Sequence, residues 1–260
     1  VPDLIAPDRR TTRPPPPAGG IAGRRETRQA PPRNADHVET EAMPSPAALD
    51  WQCNLGGAAL SGIQAGTLAT SYKGVALLKS PFDVMLYLRL LQDLRPATVI
   101  EVGTAEGGSA LWFADMMGVF GLAPRVVSID IAAAVGFSDD RIAFIAGDAL
   151  RLGGTLPAGV PDRLPHPWLV VEDSAHVYAT TRAVLDFFHP RLAAGDYIVV
   201  EDGVVKFLPD PYYRSFEDGP NRALEDFLAA NPGSYEIDRA LCDFYGTNVT
   251  WNPNAWLRRR

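Results

Sequence analysis

From residue 47 to the end, short apolar runs alternate with stretches whose apolar residues recur every three or four positions. The short runs are residues 98–102, 125–130, 142–146, 168–171 and 197–200. They are apolar at most positions and too short for helices, so they predict strands buried on both faces, as in a parallel sheet. The longer stretches predict the crossover helices that such a sheet requires. Ser80 reads as an N-cap, Pro81 as the first helical residue and Asp83 as a first-turn acid, ahead of a stripe of Val84, Leu88, Leu91 and Leu94. Arg95-Pro96 stops that helix. Further helices are expected over 109–117, 178–188 and 221–230, and residues 235–237 and 248–251 as a closing antiparallel pair. Gly and Pro crowd residues 151–167, so the crossover helix there is expected to be shortened or lost.

Residues 1–46 break the pattern. They hold ten of the 23 prolines, including Pro14 to Pro17 in a row, with seven arginines and few large apolar residues. Such a stretch cannot bury enough surface to offset its ordering entropy, which predicts a disordered tail with polyproline II character, followed by one domain over 47–260. It contains no apolar segment with a small-residue cleavage site, and its six acidic residues argue against an organelle-targeting helix. The chain starts with Val and its first Met is Met43, so the tail is either an unstructured extension or the product of a gene start set too far upstream.

Composition adds exclusions. Hydrophobic residues at 47% and charged residues at 21% fit a globular chain. The net charge of −7 makes it a poor duplex-DNA binder, and no apolar run approaches the roughly 20 residues of a membrane span. The expected setting is therefore the cytoplasm, and the expected partner a small molecule rather than nucleic acid or membrane. Apolar residues between Leu55 and Leu68 could support a homo-oligomer. Cys53 and Cys242 make neither a disulfide framework nor a zinc site.

Candidate chemistry gathers at the carboxyl ends of the strands, where ligands bind in an open α/β sheet. Glu101 lies within the first strand; Asp130, Asp173 and Glu201-Asp202 close others, and Asp148 lies just beyond the third. The turn Glu101-Val-Gly-Thr-Ala-Glu-Gly-Gly-Ser109 has glycines for a tight turn, Gly103 and Gly107 among them, and leads into a helix N-terminus at Ser109. Ala105 stands where a dinucleotide fingerprint needs glycine, and Glu101 would repel a pyrophosphate. A cationic or zwitterionic ligand such as S-adenosylmethionine suits it better, with Asp130 at the position that accepts from ribose hydroxyls. The second motif joins Asp173-Ser-Ala-His176 to Glu201-Asp202. Three neighbouring carboxylates repel unless they share a cation, and hard oxygen ligands favour Mg²⁺ or another hard divalent ion. The metal set expected is Asp173, Glu201 and Asp202, with His176 as a candidate general base. Ordinary capping of strand ends is the plainer alternative for these acids. Residues 203–220 carry Phe207, Tyr212, Tyr213 and Phe216, which either face an acceptor or pack the loop down. Tyr72, Lys73 and Lys79 could cover the donor site, although Lys79, next to a helix start, reads more simply as a surface lysine. His37, His166 and His189 read as structural or solvent-exposed.

The motifs Lys79-Ser-Pro-Phe-Asp83, Val99 to Thr104, Gly107-Gly-Ser-Ala110, Ser128-Ile-Asp130, Asp173-Ser-Ala-His176, Val200-Glu-Asp202 and the ending Trp251 to Arg258 resemble, in this order, the cephalosporin hydroxylase and rhamnosyl O-methyltransferase family. The resemblance covers about residues 70–258. It implies a class I methyltransferase (Rossmann-like) fold with a seven-stranded, mostly parallel sheet and an antiparallel C-terminal hairpin. It implies S-adenosylmethionine held by Glu101, Gly103, Ser109 and Asp130, to which Gly107 and Asp148 are added as donor-site candidates. It also implies Mg²⁺ at Asp173, Glu201 and Asp202, and an O-methyltransferase acting on a hydroxyl of an antibiotic or its sugar. Two alternatives stay open: an NAD-dependent oxidoreductase on a similar sheet, and a non-catalytic subunit that binds a partner protein.

Overall fold

The computed structural model describes residues 49–132, 135–157 and 159–260, so the expected tail over 1–46 lies outside the described residues. The chain enters through α1 (Gly57–Leu68) and a small hairpin, β1 (Ser71–Tyr72) and β2 (Val75–Ala76). There follow α2 (Pro81–Leu94), β3 (Thr98–Val102), α3 (Gly108–Val119), β4 (Val126–Asp130), β5 (Ile142–Ala146), a single turn α4 (Leu152–Thr155), β6 (Trp168–Glu172), α5 (Tyr178–Phe188) and β7 (Tyr197–Val200). The chain closes with α6 (Gly219–Ala230), β8 (Tyr235–Ile237), another single turn α7 (Arg239–Cys242) and β9 (Trp256–Arg259).

Seven strands form one sheet in the order β5-β4-β3-β6-β7-β9-β8. The first five pair in parallel, and β9 runs antiparallel to both β7 and β8. This is the expected class I methyltransferase architecture. Every residue of β3 and β6 is buried, as strands covered on both faces require. Chain order reverses between β3 and β6: β4 and β5 lie on one side, β6 and β7 on the other. That switch point opens a crevice at the carboxyl ends.

Two elements differ from expectation for identifiable reasons. The buried face of α2 is Asp83, Leu86, Tyr87, Leu90 and Leu91, rotated from the expected stripe, of which only Leu91 is buried. An apolar-only reading skips Asp83 and Tyr87, which are buried because each has polar partners inside the protein. The second strand of the closing pair is 256–259 rather than 248–251. Residues 250 and 251 are held elsewhere: the Thr250 hydroxyl donates to Asp83 Oδ1 at 2.5 Å and the Trp251 amide to Asp83 Oδ2 at 3.0 Å. Asn248 and Asn254 take positive φ and Pro253 lacks an N–H, so this segment turns instead of pairing. The crossover between β5 and β6 is reduced to single turns, as its Gly and Pro content predicts.

Candidate active site

A cavity of about 830 Å³ opens at the carboxyl ends of the sheet. Asp130, Gly147 and Asp148 wall it on the β4–β5 side, Gly103, Ser109, Asp173, His176 and Asp202 on the β3–β6–β7 side, and Tyr212, Tyr213 and Phe216 close it from the loop after β7, with the Phe216 ring against His176. Two expected donor-site residues, Glu101 and Gly107, do not line it. Glu101 is fully buried beneath the turn, opposite Ser128, whose hydroxyl donates to Oε2 at 2.7 Å. Its Oε1 has no hydrogen-bond partner among the described residues. Burial raises the Glu101 pKa against the pull of Lys79 and of the Ser109 and Ser128 hydroxyls. Gly107 caps α3 with φ of 87°.

Gly103 lines the cavity and has a second task as well. Its φ is +107°, and a Cβ there would stand 1.9 Å from the Asp173 carbonyl oxygen. The turn after β3 and the end of β6 therefore touch backbone to backbone, which ties the donor end of the cavity to the acidic rim. Asp130 Oδ2 accepts from the amides of Thr104 (2.9 Å) and Ala105 (3.4 Å), and Oδ1 from Ala132 (2.9 Å). It clamps the turn while facing the cavity, and carboxylate oxygens have lone pairs to spare for a ligand. Asp148 caps the turn after β5 through the Leu150 amide and pairs with Arg151.

The rim carries the densest charge. Asp173, His176 and Asp202 offer ligand atoms that all lie within 4.8 Å of one another. His176 Nε2 is 3.4 Å from Asp202 Oδ2, and Nδ1 is 3.9 Å from Asp173 Oδ1. Nδ1 is buried with no hydrogen-bond partner among the described residues. Glu201 departs from the expected metal set: Oε2 accepts from Lys79 at 2.5 Å and Oε1 from the Tyr87 hydroxyl at 2.5 Å, so both its oxygens are engaged behind the rim. Lys79, expected at the surface, is 5% exposed and also reaches Asp173 Oδ2 at 2.5 Å. Burial pushes Asp173 up to about 6 and Glu201 up to about 7, with Lys79 opposing in both cases. Asp202 is raised by burial against the pull of His176. Burial alone would lower the His176 pKa, but the carboxylates of Asp202, Asp173, Glu172 and Glu201 outweigh it and raise it.

Behind His176 lies a residue that sequence reasoning left unassigned. Glu172 is fully buried; it accepts from the Ser174 hydroxyl and amide and from the Thr181 hydroxyl at 3.0 Å. It fastens both ends of the loop in which His176 takes φ of 55°. Loop 203–220 divides the roles of its aromatics. Phe207, Tyr213 and Phe216 pack on a core around Val204, Val205 and Trp251, whereas Tyr212 is 67% exposed and stacks edge-on against Tyr213 and Phe216. Tyr72 and Lys73 do not cover the donor site; both bind Asp115 on α3. His166 pairs with Asp196, and His189 meets the Tyr235 hydroxyl, which suits structural roles. His37 lies outside the described residues. Of the apolar N-terminal residues, Leu60 is buried and Leu55 and Ile63 pack on the chain's own core. No described helix is long and apolar enough to cross a membrane.

Comparison with known proteins gives the family. The family model described as Rhamnosyl O-methyltransferase/CmcI matches residues 65–260. A rhamnosyl O-methyltransferase of Mycobacterium leprae (strain TN) is 33% identical over 199 residues, covering 74% of this chain and 83% of the relative. One from Mycobacterium bovis (strain BCG / Pasteur 1173P2) is 30% identical over 200 residues, covering 73% and 78%. A solved CmcI structure described with Mg and SAM superposes with a TM-score of 0.57 at 24% identity, covering 74% of this chain and 77% of that one, a likeness of fold.

Proposed function

The chain belongs to the Rhamnosyl O-methyltransferase/CmcI family of methyltransferases, and on that premise we propose that it moves a methyl group from S-adenosylmethionine to a hydroxyl of a small-molecule acceptor, with a divalent ion at the acidic rim. The observation that carries the reading is the continuity of one cavity, from Asp130 and Asp148 past the Asp173–His176–Asp202 cluster to the aromatic end. Donor, rim and acceptor ends are thus adjacent. The acceptor class we assign is a secondary metabolite or a sugar attached to it. Exposed Tyr212 supports this, since sugar faces and ring systems pack on aromatics, and relatives are named for rhamnosyl groups.

The residues fit both groups. Acidic Asp130 and Asp148 face the cavity and suit the hydroxyl and amino donors of a nucleoside-bearing methyl donor. Asp173 and Asp202 offer hard oxygen atoms, and Glu201 stands behind them. A desolvated set of three carboxylates facing one lysine and one histidine has surplus negative charge, which suits a dication. When bound, the ion would lower the pKa of an acceptor hydroxyl and orient it, and the donor would supply an electrophilic methyl group. The chain's part is positioning and proton transfer. Asp130 would hold ribose hydroxyls, and the turn held at Gly103 fixes the donor end against the rim. His176 would take the hydroxyl proton at Nε2, because Nδ1 is buried, with Asp202 beside it to stabilise the imidazolium.

The test is release of S-adenosylhomocysteine with a panel of glycosylated metabolites, with and without chelator, alongside calorimetric titration of S-adenosylmethionine and NAD. Chelator and Asp173→Ala should each abolish turnover while S-adenosylmethionine still binds. Full turnover in chelator overturns the metal role; binding of NAD in place of S-adenosylmethionine overturns the donor.

A further inference from the structure

We propose that Lys79 is a positioning residue for the acidic rim: one buried ammonium assembles Asp173 and Glu201 ahead of the divalent ion and sets how tightly that ion is held. The inference rests on the reading of the rim as a divalent-ion site. Lys79 Nζ lies 2.5 Å from Asp173 Oδ2 and 2.5 Å from Glu201 Oε2, and the side chain is nearly inaccessible. Its backbone is fixed as well. It immediately precedes Ser80, whose hydroxyl caps α2 by accepting from the Asp83 amide and donates to the Asp83 carboxylate, which in turn holds Thr250 and Trp251. This lysine cannot wander as a surface lysine does.

The two oxygens of Asp173 divide the work. Oδ2 faces Lys79, while Oδ1 faces the His176 side of the rim. Holding one oxygen fixes where the other points, which is how a partner outside the ligand set orients a ligand. A protonated amine has no lone pair, so Lys79 cannot itself bind an ion. Its charge acts in two directions. Without an ion it is the cation that lets buried carboxylates lie together; with an ion it repels a second positive charge a few ångströms away. The rim therefore stays formed when empty and holds its ion exchangeably, instead of folding only around it.

The full-length chain, Lys79→Met and the double variant Lys79→Met/Glu201→Gln are to be melted in chelator and titrated with Mn²⁺ alone by calorimetry. Lys79→Met should lower the metal-free Tm by ~5 °C or more, regain most of that loss in saturating Mn²⁺, and, because the repelling ammonium is gone, bind Mn²⁺ roughly tenfold or more tightly than wild type. A merely structural lysine would weaken both. The double variant removes one cation and one anion, so its metal-free Tm should return toward wild type. Unchanged or weaker Mn²⁺ binding by Lys79→Met overturns the proposal, as does an unchanged metal-free Tm. If Lys79→Met does not fold without Mn²⁺, the double variant decides, because its failure to fold contradicts charge balance as the cause. Wild-type protein that takes up no Mn²⁺ overturns the divalent-ion reading itself, a result distinct from wild-type uptake with no change in the variant.

Discussion

The contact between Gly103 and Asp173 can be tested by adding a single methyl group. In Gly103→Ala the new Cβ would stand 1.9 Å from the Asp173 carbonyl oxygen and 2.5 Å from its carbonyl carbon. Ordinary contact begins at 3.4 Å, so one of the two backbones must move by 3.4 − 1.9 = 1.5 Å. Both obstructing atoms are main chain, which leaves no side chain to swing aside. Overpacking of this kind costs about 1–3 kcal/mol. A non-glycine residue at this φ adds about 1–3 kcal/mol of backbone strain. The sum of ~2–6 kcal/mol corresponds to a Tm loss of roughly 4–24 °C in a domain of this size. The displaced segment carries Asp173, and a shift of ~1 Å at a reacting centre costs on the order of 100-fold in rate. Gly195→Ala is the control: φ there is +94°, and a Cβ would meet nothing within 4 Å, so it carries the strain without the collision. The assay is a thermal melt with S-adenosylmethionine titration and turnover on both variants. If Gly103→Ala melts within 2 °C of Gly195→Ala and turns over within threefold of it, the coupling of donor turn to acidic rim is refuted.

Three further outcomes are expected. Burial pushes Asp83 and Glu201 up to about 7 and Asp173 up to about 6; a carboxyl with a folded pKa above its unfolded value keeps its full stabilising effect below the unfolded pKa and loses it as pH rises through the folded pKa. His176, also raised, acts in the same direction, so the Tm in chelator should fall from pH 5 to pH 8, and a flat or rising profile would contradict the burial of these groups. Tyr212→Ala removes an exposed ring from the acceptor end and should raise acceptor KM by about tenfold while leaving S-adenosylmethionine affinity within twofold; a loss of donor affinity instead would place Tyr212 at the wrong end. Glu172→Gln loosens the knot with Ser174 and Thr181 that sets the His176 loop, and should cut kcat by ~10-fold or more without changing donor affinity; a kcat within twofold of wild type would remove Glu172 from the site's support.

The parallel sheet was legible because buried strands write themselves as Val- and Ile-rich runs, and the strand ends were legible because their acids follow directly. Residues 98–102, 142–146 and 168–171 needed no tertiary information. Local pattern was weaker where long-range hydrogen bonds overrule it. Asp83 and Tyr87 look like polar interruptions of an apolar stripe, yet their spacing of four, in phase with Leu86 and Leu90, is the signal that both share the buried face. Residues 248–251 contain β-branched and aromatic residues, but capture of Thr250 and Trp251 by Asp83, 167 and 168 positions away, is invisible to any local rule.

Lys79 shows where sequence reasoning about charge needs the fold. Three carboxylates at the ends of two adjacent strands imply a shared cation, and that inference follows from chain order alone. It does not follow that the cation is a metal, because a lysine 94 residues before Asp173 and 122 before Glu201 serves the same electrostatic need. The two solutions are compatible only because the carboxylates have two sides. Lys79 and Tyr87 take the inner oxygens of Asp173 and Glu201, while Asp173 Oδ1 and Asp202 remain beside His176. A rim partly neutralised from behind can keep its acids convergent at the front, and that convergence is what a dication, a hydroxyl and a methyl donor would need in order to meet.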